Sequence, residues 1–132
     1  VRTTGNPLVH CILRGAINEY GQFLPNYHYE DLMRLLDMYE KRNLSNPAVI
    51  IDANHANSHK MYFEQPRIVK EVLYSRSVNK DIAKLVKGVM IESYLEPGSQ
   101  NIHERIYGKS ITDPCLGWKE SERLIYTIAE HV

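Results

Sequence analysis

Four times along the chain, an apolar run of strand length ends in a polar residue that is able to bind a ligand. The runs, each with the residues that follow it, are Leu8 to Leu13 with Arg14, Ala48 to Ile51 with Asp52 and His55, Val89 to Ile91 with Glu92, and Ile111 and Thr112 with Asp113. Parallel α/β folds bind ligands at the carboxyl ends of their strands, so polar groups at these positions converge in space although they are far apart in sequence. The pattern therefore predicts a parallel α/β fold with a ligand site at one end of the sheet.

Three amphipathic segments between and after these runs predict helices, because their apolar residues recur with helical spacing. Their apolar positions are Leu32, Leu35, Leu36 and Tyr39 in the first, Ile68, Val69, Val72 and Leu73 in the second, and Leu124, Ile125, Ile128 and Ala129 in the third, which spans Trp118 to Val132. The connecting segments Gly15 to Tyr29 and Ser93 to Ser110 contain glycine and proline without a helical period, and we expect irregular loops there. We expect Asp81 to Lys87 to lead back to the third strand, Gly88 to Ile91.

The resulting order of elements is β, α, β, α, β, long loop, β, α. Four βα units at this spacing match half of a (β/α)8 barrel, which takes about 250 residues when complete. A small open doubly wound sheet is the alternative. Neither GxGxxG nor GxxxxGK[ST] follows any strand, so the usual nucleotide-binding signature of such a sheet is missing and the barrel is favoured.

The charge balance argues against several classes of partner. Sixteen basic residues match sixteen acidic ones, which gives no electrostatic basis for binding nucleic acid or an anionic membrane. No apolar stretch approaches the roughly 20 residues of a membrane-spanning helix, and no leader segment is recognisable, so we expect a cytoplasmic protein. Cys11 and Cys115 form no CxxC pair and are expected to be reduced thiols.

One histidine and two carboxylates at strand ends are suitable ligands for a divalent metal ion. His55 lies among small polar residues that would let its ring enter a cleft, although a surface loop histidine is the alternative. Glu92 directly follows an apolar run, where an unpaired charge is costly to bury, so it needs a cation, a partner or solvent. Asp113 precedes Pro114 and is also a common turn initiator.

Arg14 closes the first strand, with Gly15 behind it. A guanidinium in that position can hold a phosphate or a carboxylate through two parallel hydrogen bonds. The alternative is a structural ion pair with Glu92 or Asp113.

Four stretches resemble the C-terminal half of the type I 3-deoxy-D-arabino-heptulosonate 7-phosphate (DAHP) synthases, in the same order and over nearly the whole chain. They are HCILRG at His10 to Gly15, IDANHANSHK at Ile51 to Lys60, GVMIESYLEPGSQ at Gly88 to Gln100, and YGKSITDPCLGW at Tyr107 to Trp118. Each motif alone is a short strand end, but four collinear motifs are far more specific.

The resemblance implies an α/β fold in which residues 1–132 are a single partial domain, the C-terminal half of a (β/α)8 barrel with about four parallel strands and three main helices. It implies a metal-dependent condensation of phosphoenolpyruvate with erythrose 4-phosphate at the entry to the shikimate pathway. By the same resemblance His55, Glu92 and Asp113 are ligands of a divalent ion (Mn, Fe, Zn or Co), and Arg14 binds phosphoenolpyruvate.

Two features of the resembled family do not occur in this chain. They are a fourth metal ligand, a cysteine near the start of the barrel, and a KPRTS substrate-binding motif. We therefore expect a fragment that is inactive alone and that associates into a homo-oligomer through its open strand edges. The alternatives are a non-catalytic piece, or a generic metal-dependent lyase or hydrolase on a half barrel.

Overall fold

The computed structural model describes residues 1–131, which form seven strands and four helices. The strands are β1 (Cys11–Leu13), β2 (Ala16–Ile17), β3 (Phe23–Leu24), β4 (Val49–Asp52), β5 (Val86–Met90), β6 (Glu96–Ser99) and β7 (Lys109–Ser110). The helices are α1 (Tyr29–Arg42), α2 (Gln65–Val78), α3 (Lys80–Leu85) and α4 (Trp118–Ala129), with a single 3₁₀ turn at Tyr62–Glu64. The fold is α/β with parallel strands, as the sequence pattern predicts.

A three-stranded parallel sheet in the order β1-β4-β5 forms the centre of the molecule. Its register places Ile51 of β4 between Leu13 of β1 and Val89 of β5. Val49 and Ile51 have no solvent exposure, as expected for a central strand of a parallel sheet covered by helices. All three strands therefore end at the same edge, which is where Arg14, His55 and Glu92 follow them.

The three predicted helices are present and cover the sheet through their apolar faces. Helix α2 buries Ile68, Val69 and Val72 completely, α1 contributes Leu32 and α4 contributes Leu124 to the same core. Helix α1 ends at Asn43, which adopts the left-handed conformation with φ 48°, a common helix terminator. Helix α4 ends at Ala129, and Val132, which the predicted segment included, lies outside the described residues.

The prediction of a fourth strand at Ile111 and Thr112 is wrong. Those two residues form a bend, and Ile111 is 58% exposed. The chain instead meets the sheet further on, where Leu116 forms a parallel bridge with Ser93, just beyond β5. β-Branched residues favour strands only where a partner strand and a buried face are available, and the bend supplies neither.

Three connecting segments are more ordered than the sequence indicates. The segment predicted as a loop at Gly15 to Tyr29 contains an antiparallel hairpin of β2 and β3, and Tyr29 begins α1. The segment Ser93 to Ser110 contains β6 and β7, which pair in parallel. The residues predicted to lead into the third strand form α3 instead, because Asn79 caps the helix by accepting hydrogen bonds from the backbone N–H groups of Asp81 and Ile82.

No helix within residues 1–131 is both long enough and apolar enough to cross a membrane.

Gly15 lies between β1 and β2 and has a backbone conformation that only glycine adopts easily. Its φ is 71°, and a Cβ atom there would lie 2.9 Å from the Cβ of Ala56. We predict that Gly15→Ala lowers the free energy of unfolding by about 3 kcal/mol, through the left-handed backbone and the steric overlap together. Urea denaturation measures this loss.

Gly21→Ala is the matched control. Gly21 has a similar φ of 76°, but a Cβ atom there would have no heavy atom within 4 Å. This variant should lose only about 1 kcal/mol, the cost of the backbone conformation alone. Equal losses in the two variants would show that the close approach of Gly15 to Ala56 is unimportant.

Candidate metal centre

Three side chains with metal-ligating atoms meet at the carboxyl edge of the sheet. One ligand-type atom from each of His55, Glu92 and Asp113 lies within 4.8 Å of the others. The Nε2 atom of His55 is 3.3 Å from Oε1 of Glu92 and 3.6 Å from Oδ2 of Asp113. The structure thus brings together the three residues that the sequence analysis names as candidate ligands.

His55 occupies the loop after β4 with a backbone φ of 44°, a conformation that residues other than glycine seldom adopt. Its Nδ1 atom is 2.7 Å from Oδ2 of Asp52, whose side chain is only 2% exposed. An ionised carboxylate only accepts hydrogen bonds, so Nδ1 of the ring is the donor in this contact. In the neutral ring, Nε2 then carries a lone pair that faces Glu92 and Asp113.

Glu92 is fixed through both its backbone and its side chain. The side-chain amide of Gln65, which is fully buried, accepts a hydrogen bond from the N–H of Glu92 at 2.8 Å and donates one to its carbonyl at 3.1 Å. The amide of Asn54 donates to Oε2 of Glu92 at 2.7 Å. Oε1 is left facing His55, so one carboxylate oxygen is oriented toward the site.

Asp113 comes from the bend after β7, and its side chain is half exposed. Three residues further on, Leu116 donates its N–H to the carbonyl of Glu92 at 2.9 Å and accepts a hydrogen bond from the N–H of Tyr94 at 2.9 Å. The segment that carries Asp113 is thereby tied to the segment that carries Glu92.

The donor set fits a divalent metal ion. Nitrogen of a neutral imidazole and two carboxylate oxygens are ordinary ligands of Zn²⁺, Mn²⁺ and Fe²⁺. Lone pairs of three such atoms facing each other repel, and a cation between them turns this repulsion into attraction. With His55 neutral, these three atoms together suit a bound cation.

Neither cysteine belongs to this group of convergent atoms within residues 1–131. The thiol of Cys115 donates to the backbone carbonyl of Asp113 at 3.4 Å. Burial raises the pKa of the Cys115 thiol. The ligand set is therefore limited by geometry to His55, Glu92 and Asp113.

Arg14 lines an open cleft beside these residues. The cleft has a volume of about 430 Å³, and His55, Asp113 and Lys60 also contribute to its wall. Among the residues that the structure describes, no carboxylate forms an ion pair with Arg14, so the structural pairing with Glu92 or Asp113 that was the alternative is not formed. The guanidinium is exposed at the cleft.

Lys60 is a cationic residue of the cleft that the sequence analysis does not single out. Its backbone φ is 61°, and its N–H donates to the carbonyl of His55 at 2.8 Å, so the loop turns back on itself. This turn brings Lys60 to the same cleft wall as Arg14. A turn of this kind has no periodic sequence pattern, so the sequence does not identify Lys60.

Asn57 is a second residue that the sequence does not identify, and its side chain connects the ends of β1 and β4. Its buried side-chain amide donates to the carbonyls of Leu13 at 3.0 Å and Asp52 at 2.8 Å, the last residues of β1 and β4. Its carbonyl oxygen accepts the N–H of Asn26 at 2.9 Å. Asparagine binds nearby backbone in this way at many turns, but the sequence alone does not say which of several asparagines does so.

A sequence model described as the DAHP synthetase I family matches residues 1–125. The chain belongs to this family. The matched residues include all four of the motifs on which the resemblance rests.

Curated relatives in the family are similar over nearly the full chain. The phospho-2-dehydro-3-deoxyheptonate aldolase, Trp-sensitive, of Enterobacter agglomerans is 40% identical over an alignment of 134 positions that covers 99% of this chain and 36% of the relative. The phospho-2-dehydro-3-deoxyheptonate aldolase of Haemophilus influenzae is 38% identical over an alignment of 135 positions that covers 100% of this chain and 35% of the relative. The chain therefore spans about a third of the length of these relatives.

A solved structure has the same fold over this region. The phospho-2-dehydro-3-deoxyheptonate aldolase from Francisella tularensis SCHU S4 superimposes with a TM-score of 0.84 at 31% sequence identity, covering 98% of this chain and 36% of that one. The backbone that positions the candidate site is thus shared with this solved aldolase.

If Asn57 holds the site edge together, its removal will cost stability. We predict that Asn57→Ala lowers the free energy of unfolding by about 3 kcal/mol, because it leaves three backbone groups without their partner in a buried setting. The matched control is Asn18→Ala, since Asn18 also makes three side-chain hydrogen bonds, but in an exposed hairpin. Chemical denaturation should show a loss below about 1 kcal/mol for the control, and a loss of that size for Asn57→Ala would contradict the assignment.

Proposed function

We propose that this chain supplies three metal ligands and a substrate-binding arginine to a DAHP synthase, which condenses phosphoenolpyruvate with erythrose 4-phosphate to give DAHP and phosphate. The observation that carries the proposal is the convergence of His55, Glu92 and Asp113 beside the exposed guanidinium of Arg14, in a chain of this family. The proposal assigns His55, Glu92 and Asp113 to the metal and Arg14 to phosphoenolpyruvate.

We propose further that residues 1–132 are one partial domain, the C-terminal half of a (β/α)8 barrel. Support comes from the three central strands, which are parallel, lie side by side in chain order and are separated by helices. The bridge between Ser93 and Leu116 extends the same edge beyond β5, where a fourth barrel strand would pair.

The bound divalent ion, which is Mn, Fe, Zn or Co by family resemblance, would supply a Lewis acid for the aldehyde oxygen of erythrose 4-phosphate. Arg14 would hold the negative charge of phosphoenolpyruvate at the wall of the cleft through paired hydrogen bonds. Lys60 adds positive charge to the same wall. Together Arg14 and Lys60 would offset the repulsion between the two anionic substrates and so let them lie next to each other.

The chemistry is an aldol-type condensation coupled to loss of phosphate. Carbon 3 of phosphoenolpyruvate attacks the aldehyde carbon, whose oxygen takes up a proton, and the hydroxyl of a water molecule adds at carbon 2. Phosphate then leaves by cleavage of the bond between carbon 2 and oxygen, and the hydroxyl on carbon 2 loses its proton to give the keto group. The carboxylate of phosphoenolpyruvate and the phosphate of erythrose 4-phosphate would stay bound throughout, which is the role that the exposed cations of this cleft are suited to.

The metal assignment predicts one tight site for a divalent ion on the chain. Calorimetric titration with Mn²⁺ or Zn²⁺ should give one equivalent, weaker than in a protein that also has the family's fourth ligand, because each ligand adds to the affinity. His55→Ala should abolish binding. The matched control is His59→Ala, since His59 lies in the same loop but stacks on Phe23 at a centroid distance of 5.0 Å.

Unchanged binding by the His55→Ala variant would remove His55 from the ligand set. Loss of binding in the His59→Ala variant as well would show that the whole loop, rather than one imidazole, determines the affinity.

The substrate assignment predicts that Arg14 binds phosphoenolpyruvate. Arg14→Ala should weaken binding of phosphoenolpyruvate at least tenfold, because a charge-assisted pair of hydrogen bonds contributes about 1.5–3 kcal/mol. Arg34→Ala is the control, since Arg34 lies on the exposed side of α1 near Asp31. Titration of the Mn²⁺-loaded chain followed by ³¹P NMR measures the affinity, and equal affinities of the two variants would contradict the role of Arg14.

We also predict that the chain alone neither turns over substrate nor remains a monomer. The cysteine and KPRTS motifs of the family are missing from its sequence, and among residues 1–131 strand β1 pairs on one side only, with Val9 and Ile12 exposed nearby. A phosphoenolpyruvate consumption assay and analytical ultracentrifugation test both points. Turnover should appear only on mixing with the remaining portion of the Enterobacter agglomerans relative, and a monomer with measurable synthase activity would defeat the half-barrel proposal.

A further inference from the structure

We propose that Asp52 is a positioning residue that fixes the imidazole of His55, so that Nε2 and not Nδ1 faces the metal. This inference rests on the proposed metal site and extends it to a residue outside the ligand set. It concerns how the chain prepares one ligand before any metal binds.

The contact that carries the inference is short and buried. Oδ2 of Asp52 lies 2.7 Å from Nδ1 of His55, and the Asp52 side chain is 2% exposed while the ring of His55 is 20% exposed. Asp52 is the last residue of β4, and its backbone is held in register opposite Met90 of β5. The carboxylate is therefore fixed to the rigid sheet, whereas His55 lies in the loop.

Both oxygens of Asp52 are in use. Oδ1 accepts the backbone N–H of Asn54 at 2.9 Å, and Oδ2 accepts the ring N–H of His55. These two bonds offset part of the cost of burying a carboxylate. They also make the position specific for aspartate, because an asparagine has one acceptor oxygen and would have to present N–H groups to one of these two donors.

His55 has an uncommon backbone conformation, and Asp52 holds its ring in one orientation. A residue with φ 44° is held in a conformation that costs about 1 kcal/mol or more, and the surrounding contacts must maintain it. Without Asp52 the ring could turn about its side-chain bonds or carry its hydrogen on Nε2, and either change takes the lone pair away from Glu92 and Asp113.

A carboxylate that holds the distal nitrogen of a metal-bound histidine typically changes metal affinity by 10–100-fold. We therefore expect Asp52→Asn to bind Zn²⁺ 10–100-fold more weakly than the parent chain. The matched control is Glu71→Gln, which removes the carboxylate from another histidine pair, in which Oε1 of Glu71 lies 2.6 Å from Nδ1 of His28, on an exposed surface. Its affinity for Zn²⁺ should be unchanged.

The deciding experiment combines Zn²⁺ titration with ¹⁵N NMR of the histidine rings in the Zn²⁺-loaded chain. The expected result is that Nε2 of His55 binds zinc and Nδ1 keeps its hydrogen, with a signal that is altered in Asp52→Asn. A merely structural role would change stability but not this signal. Because the measurement on the parent chain needs no variant, the proposal stays testable even if Asp52→Asn does not fold.

The outcomes separate the two proposals. Failure of the parent chain to bind Zn²⁺ would overturn the proposed metal site itself. Binding of Zn²⁺ through Nδ1 of His55, or an Asp52→Asn variant with unchanged affinity and unchanged ring signals, would leave the metal site standing and overturn the role of Asp52.

Discussion

The parallel pairing of β4 with β1 on one side and β5 on the other is the constraint on which the candidate site depends. Buried side chains such as Val49 and Ile51 fix the register of this pairing, because a shift by one residue would bring Asp52 to the apolar face that they occupy. Once the register is set, the residues that follow the three strands have to meet at one edge. The backbone hydrogen bonds of the sheet thus determine which side chains lie close together at this edge.

The loop after β4 turns that edge into a site. It runs from Ala53 to Lys60, and Asn57 within it satisfies backbone groups that the strands leave open. Asp52 at the end of β4 contacts His55, and Asn54 in the loop contacts Glu92. Positive φ angles at His55, His59 and Lys60 show that the loop holds an uncommon backbone conformation. Such conformations persist only where surrounding contacts maintain them, and they are concentrated at functional sites. Rigidity here comes from buried polar contacts rather than from apolar packing.

The sequence predicts the parts of this arrangement that depend on local pattern. Apolar runs and the residues after them are enough to place Arg14, His55 and Glu92 at one edge, because parallel strands share a direction. Asp113 reaches the same edge from a bend, although the strand predicted before it does not form. The sequence does not predict that Leu116 rather than Ile111 meets the sheet, since backbone hydrogen bonds to Glu92 and Tyr94 decide this. The sequence analysis misses helix α3, because six residues are too few to show a helical period, although Asn79 is a local signal for a helix start. The role of Asp52 follows from the contact between its carboxylate and the ring of His55, which no periodicity reveals.

The central claim is that His55, Glu92 and Asp113 form the binding site of one divalent ion. Anomalous diffraction from crystals of the chain grown with Mn²⁺ tests it most directly, because the signal at the manganese absorption edge locates the ion independently of the protein atoms. The account predicts one strong peak at about 2.0–2.2 Å from Nε2 of His55 and from a carboxylate oxygen of Glu92 and of Asp113. A peak coordinated by other residues, or no peak at these three side chains, would contradict it.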